Sequence, residues 1–224
     1  MEYSIKNIVI FCLIYFIQPL NSHEGVKYPL FVSSFDGNNF VCNMQKLPQQ
    51  TYYNPVDKKW RREKCESLGF TYQEQSNKPF TPNMIPLELL NKRHSLYKTL
   101  SLYICGNQNI HLEIEKKIIN TLRTNSIIEE FFGTRELLDE YIENNVKVSN
   151  TGEVESIGSY AETFAASLYL DTCIYVFEEI KNDWVLYYGK NWPKYDTLNM
   201  EDEKCIYLFV TGRFMGVVSK VTSP

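Results

Sequence analysis

The stretch SYAETFAASLYLDTCIYVF, residues 159–177, contains the change of hydrophobic period that decides the fold class. Residues 159–170 carry three alanines, whose small side chains allow a helix to pack closely on its neighbours. Residues 173–177, CIYVF, are β-branched and aromatic, which is typical of a short buried strand. The sequence therefore changes from helix to strand within this stretch.

The same order, helices first and strands later, holds on either side of it. Apolar residues recur at helical spacing before residue 159, and short apolar runs follow residue 177. This order predicts the α+β class, with helices packed on a small mixed or antiparallel sheet. The predicted helices cover 95–105, 109–122, 134–142 and 159–170, and the predicted strands cover 173–177, 184–188, 205–210 and 214–218.

Residues 23–83 have a different composition, rich in Asn, Gln, Pro and Tyr. Short strands are predicted at 28–32 and 39–42, and a helix at 55–68. We therefore expect an N-terminal extension over 23–83, followed by the main domain over 84–224.

Composition excludes two broad classes of protein. The chain has 224 residues, 44% of them hydrophobic, and a net charge of −4, so it is not predominantly disordered. A sequence pI near 5.5 argues against a strongly basic nucleic-acid-binding protein. The basic run Lys58–Lys64 is interpreted as a solvated helix face, with a basic surface for a partner as the alternative.

The first 22 residues resemble a secretory signal peptide. Lys6 precedes the apolar run Ile8–Ile17, and Pro19 and Ser22 follow it. The run is shorter than the ~20 apolar residues that a spanning helix needs. We expect cleavage near Ser22 and a secreted, extracellular protein that is not membrane-bound after cleavage; a buried N-terminal helix or strand is the alternative.

Five cysteines remain after removal of this segment, and an oxidising compartment favours disulfides between them. Cys42 and Cys65 flank a polar stretch and are predicted to pair. Cys173 and Cys205 begin two predicted strands and are predicted to pair if those strands are neighbours, which leaves Cys105 free. The alternative is that all five are buried thiols. The sequence has no C-x-x-C motif and no zinc-like histidine spacing, so neither a metal nor a cofactor is predicted.

Four sequence blocks, in order and spacing, resemble the ovarian-tumour (OTU) family of cysteine deubiquitinases. They are residues 95–101 (SLYKTLS), 106–111 (GNQNIH), 158–166 (GSYAETFAA) and 205–217 (CIYLFVTGRFMGV). The resemblance covers about residues 85–218. It implies an OTU or papain-like cysteine protease scaffold.

The residues at the family's catalytic positions are replaced in this chain. Ser95 stands at the position of the cysteine nucleophile, Arg213 at that of the histidine base and Met215 at that of the residue that orients the base. Lys92 begins the loop in which the family has Asp-Gly-Asn. Arginine stays protonated and cannot act as a base, so we expect no catalytic residues.

Other residues could in principle activate Ser95. A dyad with Lys92 or Lys98 is the alternative, whereas His94 is adjacent to Ser95, and adjacent side chains seldom point at each other at a helix start. His111 is interpreted as a residue at a helix start that bonds to the backbone. Ser95 itself is most simply an N-cap.

The resemblance and the replacements together suggest a secreted OTU-like pseudoenzyme that binds rather than hydrolyses. Ser95, His94 and Arg213 are its candidate binding residues, and Arg213 could bind a carboxylate. The expected partner is ubiquitin or a ubiquitin-like protein, or otherwise an unknown extracellular protein. The alternatives are an active OTU-type hydrolase with Ser95 as nucleophile, and a disulfide-stabilised interaction protein unrelated to ubiquitin.

Overall fold

The structure is a computed structural model that describes residues 25–35, 40–74, 95–148, 154–155, 159–211, 214–218 and 221. The signal peptide predicted over residues 1–22 lies outside these residues. No helix in the described part is long and apolar enough to cross a membrane. The helices are α1 (Lys58–Ser67), α2 (Ser95–Cys105), α3 (His111–Thr124), α4 (Ser126–Phe132), α5 (Arg135–Asn145) and α6 (Tyr160–Leu170). The strands are β1 (Lys27–Phe35), β2 (Phe40–Lys46), β3 (Lys147–Val148), β4 (Val154–Glu155), β5 (Ile174–Glu178), β6 (Asp183–Tyr187), β7 (Ile206–Thr211) and β8 (Phe214–Val217).

Six strands form one mixed sheet in the order β2-β1-β6-β5-β7-β8. The pairs β1–β2, β5–β6 and β7–β8 are antiparallel, whereas β1–β6 and β5–β7 are parallel. The predicted α+β class with a mixed sheet is confirmed. Strands β3 and β4 form a separate two-stranded sheet.

Local signals in the sequence set where the helices begin and end. Thr134 caps α5 by accepting a hydrogen bond from the Leu137 N–H. Helix α2 ends at Gly106, whose φ of 73° lies in the left-handed region. A Cβ there would lie 1.8 Å from the carbonyl oxygen of Gln73, so only glycine fits.

Both faces of the sheet are covered. On one face the helices bury Leu96, Ile118 and Phe164 completely. On the other face Tyr175 and Tyr207 stack with ring centroids 5.1 Å apart, within a second, aromatic cluster of buried residues. The sheet thus separates a helical core from an aromatic core.

The N-terminal segment is built into this sheet rather than appended to it. Strand β1 pairs in parallel with β6, with Lys27 opposite Val185. The two strands predicted in this segment exist and are longer than predicted. The predicted boundary at residue 84 lies outside the described residues.

The described residues contain two disulfides. The Cys173–Cys205 disulfide joins the residues that precede the neighbouring strands β5 and β7, as predicted, and their Cα atoms are 4.8 Å apart. The predicted Cys42–Cys65 pair is wrong, and so is the prediction of a free Cys105, because Cys65 pairs with Cys105. Helix α1 packs on α2, which places these two cysteines face to face, whereas Cys42 lies on edge strand β2.

Candidate functional site

The start of helix α2 meets the last strand of the sheet. Ser95 is the first residue of α2, and Thr99 lies one turn further along the same helix face. The buried Thr99 hydroxyl donates a hydrogen bond to the backbone carbonyl of Met215 in β8, at 3.1 Å. Positions 95 and 215, which the sequence blocks place far apart in the chain, therefore belong to one corner of the fold.

The side chain of Met215, at this corner, has no group that takes part in acid–base chemistry near neutral pH. Met215 is only 5% exposed, and its thioether can neither orient an imidazole through a charge nor accept a proton near neutral pH. The side chain of Ser95 lies outside the described part of the chain, as do Lys92, His94 and Arg213.

His111 is the one histidine among the described residues. Its Nδ1 lies 2.7 Å from the carbonyl oxygen of Gln108 and donates to it, at the start of α3. This is the backbone contact that the sequence predicted for His111. The Nδ1 atom of His111 is therefore engaged in a hydrogen bond that stabilises the start of α3.

Cys42 is the one unpaired cysteine among the described residues. Burial is the main cause that raises the pKa of its thiol to about 12. The thiol is therefore protonated at neutral pH and is a poor nucleophile. Cys42 is therefore not a candidate nucleophile.

The glutamate of the block at residues 158–166 has a structural role. Buried Glu162 accepts hydrogen bonds at 2.8 Å from the Ser159 backbone N–H and from the Tyr141 hydroxyl. With the reciprocal contact from Ser159 this is a capping box at the start of α6. Helix capping accounts for this part of the motif without any catalytic role.

A cavity of about 340 Å³ lies beside Met215, between the start of α6 and the ends of β5 and β7. Its floor is apolar, and charged residues of the β5–β6 turn form part of its rim. The sequence carried no signal for this cavity, because its walls come from five separate elements, α6, β5, β6, β7 and β8, and from the β5–β6 turn. The lining residues are Ser159, Tyr160, Thr163, Val176, Glu178, Glu179, Ile180, Lys181, Tyr187, Val210 and Met215.

Three polar side chains at the cavity form one cluster. The Lys181 Nζ lies 2.6 Å from the Tyr160 hydroxyl and 2.7 Å from Glu178 Oε2, and the Tyr160 hydroxyl donates to Glu178 Oε1. Burial, followed by the hydrogen bond to Glu178, raises the pKa of Tyr160 to about 12. Burial acts to lower the pKa of Lys181, but its bonds to Glu178 and Tyr160 raise that pKa overall. Tyr160 is therefore neutral and Lys181 charged at physiological pH.

The basic run of α1 is largely engaged within the molecule. The guanidinium of Arg61 lies over the Tyr103 ring at 5.0 Å, and that of Arg62 lies over the Tyr72 ring at 5.5 Å. Lys64 donates a hydrogen bond to the Leu170 carbonyl at 2.7 Å. These contacts weaken the alternative of a free basic surface for a partner.

Metal binding finds no support in the described part of the chain. No group of three or more His, Cys, Asp or Glu side chains there could hold a metal ion. The comparisons with known proteins add no family assignment. No family model matches the chain, and no curated protein matches it either.

Proposed function

We propose that this chain is a secreted binding protein on a degenerate OTU-type scaffold, which binds ubiquitin or a ubiquitin-like protein without hydrolysing it. The proposal combines the sequence resemblance with the composition of one corner of the fold. Two disulfides are compatible with an extracellular protein.

The contact between α2 and β8 is the observation that carries the proposal. A hydrolase of this type needs a nucleophile at the start of a helix and a base on a strand beside it. The Thr99–Met215 hydrogen bond supports such an arrangement of backbone. The side chain at the orienting position is a buried methionine, which supports a scaffold that has kept its shape and lost its proton-transfer chemistry.

Calorimetric titration with monoubiquitin tests binding. The protein is purified from the medium of cells that express the full chain, which tests secretion in the same experiment. We expect a saturable heat with a dissociation constant in the micromolar range or tighter. No heat at any reachable concentration would refute ubiquitin as the partner and favour a different extracellular protein.

Cleavage of diubiquitin tests the loss of hydrolysis. We expect no cleavage by the natural chain, and a gain of cleavage in the double variant Ser95→Cys, Arg213→His if the cleft is intact. Ser126→Cys is the matched control, because Ser126 is likewise the first residue of a helix and is exposed. Cleavage by the natural chain that is abolished by Ser95→Ala would instead establish the serine hydrolase alternative.

A further inference from the structure

We infer that the cavity beside Met215 binds a small molecule with an apolar body and one protonated amine. This inference goes beyond the proposed function and does not depend on ubiquitin binding.

The size and floor of the cavity fit the apolar body of such a molecule. A volume of about 340 Å³ lies at the small end of the range of ~300–1,000 Å³ for ligand pockets. Val176, Tyr187, Val210 and Met215 line it with aliphatic, aromatic and thioether groups. Burial of one aromatic ring or a short alkyl chain against them removes apolar surface from water.

The charges at the cavity favour an amine over a carboxylate. Among the described lining residues there are two carboxylates, Glu178 and Glu179, and one ammonium, Lys181. Lys181 is ion-paired with Glu178, whereas Glu179 is exposed and makes no ion pair with any described residue. Among the described lining residues, the charge without an ion-pair partner is therefore negative.

Glu178 also retains hydrogen-bonding capacity. Its Oε2 is buried and lies 2.7 Å from the Lys181 ammonium, and its Oε1 accepts from the Tyr160 hydroxyl. A carboxylate has about four lone-pair sites, so it can accept a further donor without losing Tyr160. A ligand amine at the polar end would supply that donor.

The rim carries an apolar residue suited to contact a bound ligand. Ile180 is 85% exposed at the β5–β6 turn, in contrast to the buried Val176 and the partly buried Val210 of the floor. Burial of a solvent-exposed isoleucine side chain under a ligand is favourable, because it removes apolar surface from water. The position of Ile180 on the rim extends the apolar floor outward.

The test is a titration of the full-length protein with phenethylamine, and separately with phenylacetate, followed by NMR of isotope-labelled methionine methyl groups. Met215 lines the cavity, whereas Met200 is buried in the aromatic core and serves as the internal control. We expect a saturable shift of the Met215 signal, no shift of Met200, and binding of the amine about two- to fivefold tighter than the carboxylate, as one exposed charge would give.

Two variants test the source of this preference. Glu179→Lys should abolish or reverse the preference for the amine, whereas Glu66→Lys, an exposed change on α1, should leave it intact. The inference is overturned if neither probe shifts Met215, if Met200 shifts equally, or if the two probes bind the natural chain equally well. The ubiquitin titration stands apart, because its failure alongside a Met215 response would refute only the proposed function.

Discussion

Removal of the Cys65–Cys105 disulfide should destabilise the protein by about 4 kcal/mol. The perturbation is the double variant Cys65→Ala, Cys105→Ala. The two cysteines are 40 residues apart, and the chain-entropy treatment of a closed loop of that length gives about 4 kcal/mol at room temperature. This is a large share of the ~5–15 kcal/mol that stabilises a typical domain.

The second disulfide provides a quantitative comparison. Cys173 and Cys205 are 32 residues apart, and because loop entropy depends on the logarithm of length, their removal should also cost about 4 kcal/mol. All four cysteines are almost fully buried, so the cavities that the alanine substitutions leave should lower the free energy of unfolding by similar amounts in both variants. Cys42→Ala is the matched control and should cost about 1 kcal/mol or less, because no cross-link is lost.

The assay is urea unfolding. Its m-value, the slope of the unfolding free energy against urea concentration, separates loss of the cross-link from formation of a cavity. Loss of a cross-link lets the unfolded chain expand, so the m-value should rise while the midpoint falls. A cavity in the folded state lowers the midpoint at constant m-value. A loss below about 1 kcal/mol in the Cys65/Cys105 variant, or a fall in midpoint with an unchanged m-value, would refute the loop-closure argument.

Three further predictions concern single groups. Thr99→Val should cost about 1 kcal/mol in urea unfolding, because it removes a buried hydrogen bond to β8, whereas Thr121→Val, whose hydroxyl bonds within its own helix, should cost less. Equal losses would contradict this role for Thr99. Cys42 should react slowly with iodoacetamide at neutral pH, as detected by mass spectrometry, because its pKa is raised to about 12; labelling as fast as in urea would contradict this. The free energy of unfolding should fall as pH rises from about 10 to about 12, because the raised pKa of Tyr160 means that the folded state holds its proton more tightly than the unfolded state. A free energy of unfolding that stays flat across that window would oppose this reasoning.

Much of the secondary structure could be predicted from local sequence because local chemistry decides it. Thr134 and Gly106 mark helix ends through backbone hydrogen bonding and a left-handed conformation. The change from helical to strand periodicity after Leu170 is equally local. Helix α4 was missed because SIIEEFF, residues 126–132, is too short to show a helical period.

The candidate site was only partly accessible to such reasoning. The motif resemblance pointed to Ser95 and Met215, and the structure places the start of α2 against β8. The cavity had no sequence signal, because Tyr160, Val210 and Met215 have no fixed spacing along the chain and meet only when α6, β7 and β8 pack. The charge pattern at its rim likewise depends on the turn that follows β5.

The sequence by itself determined the α+β class and most of the elements, since local periodicity carries that information, and it predicted the Cys173–Cys205 bridge on the condition that β5 and β7 are neighbours, which the fold supplies. Only the tertiary structure decided that Cys65 pairs with Cys105, and that β1 lies beside β6. The physical reason is that a disulfide needs Cα atoms about 4.4–6.8 Å apart, and helix packing brings Cys65 within 5.2 Å of Cys105 despite their separation along the chain.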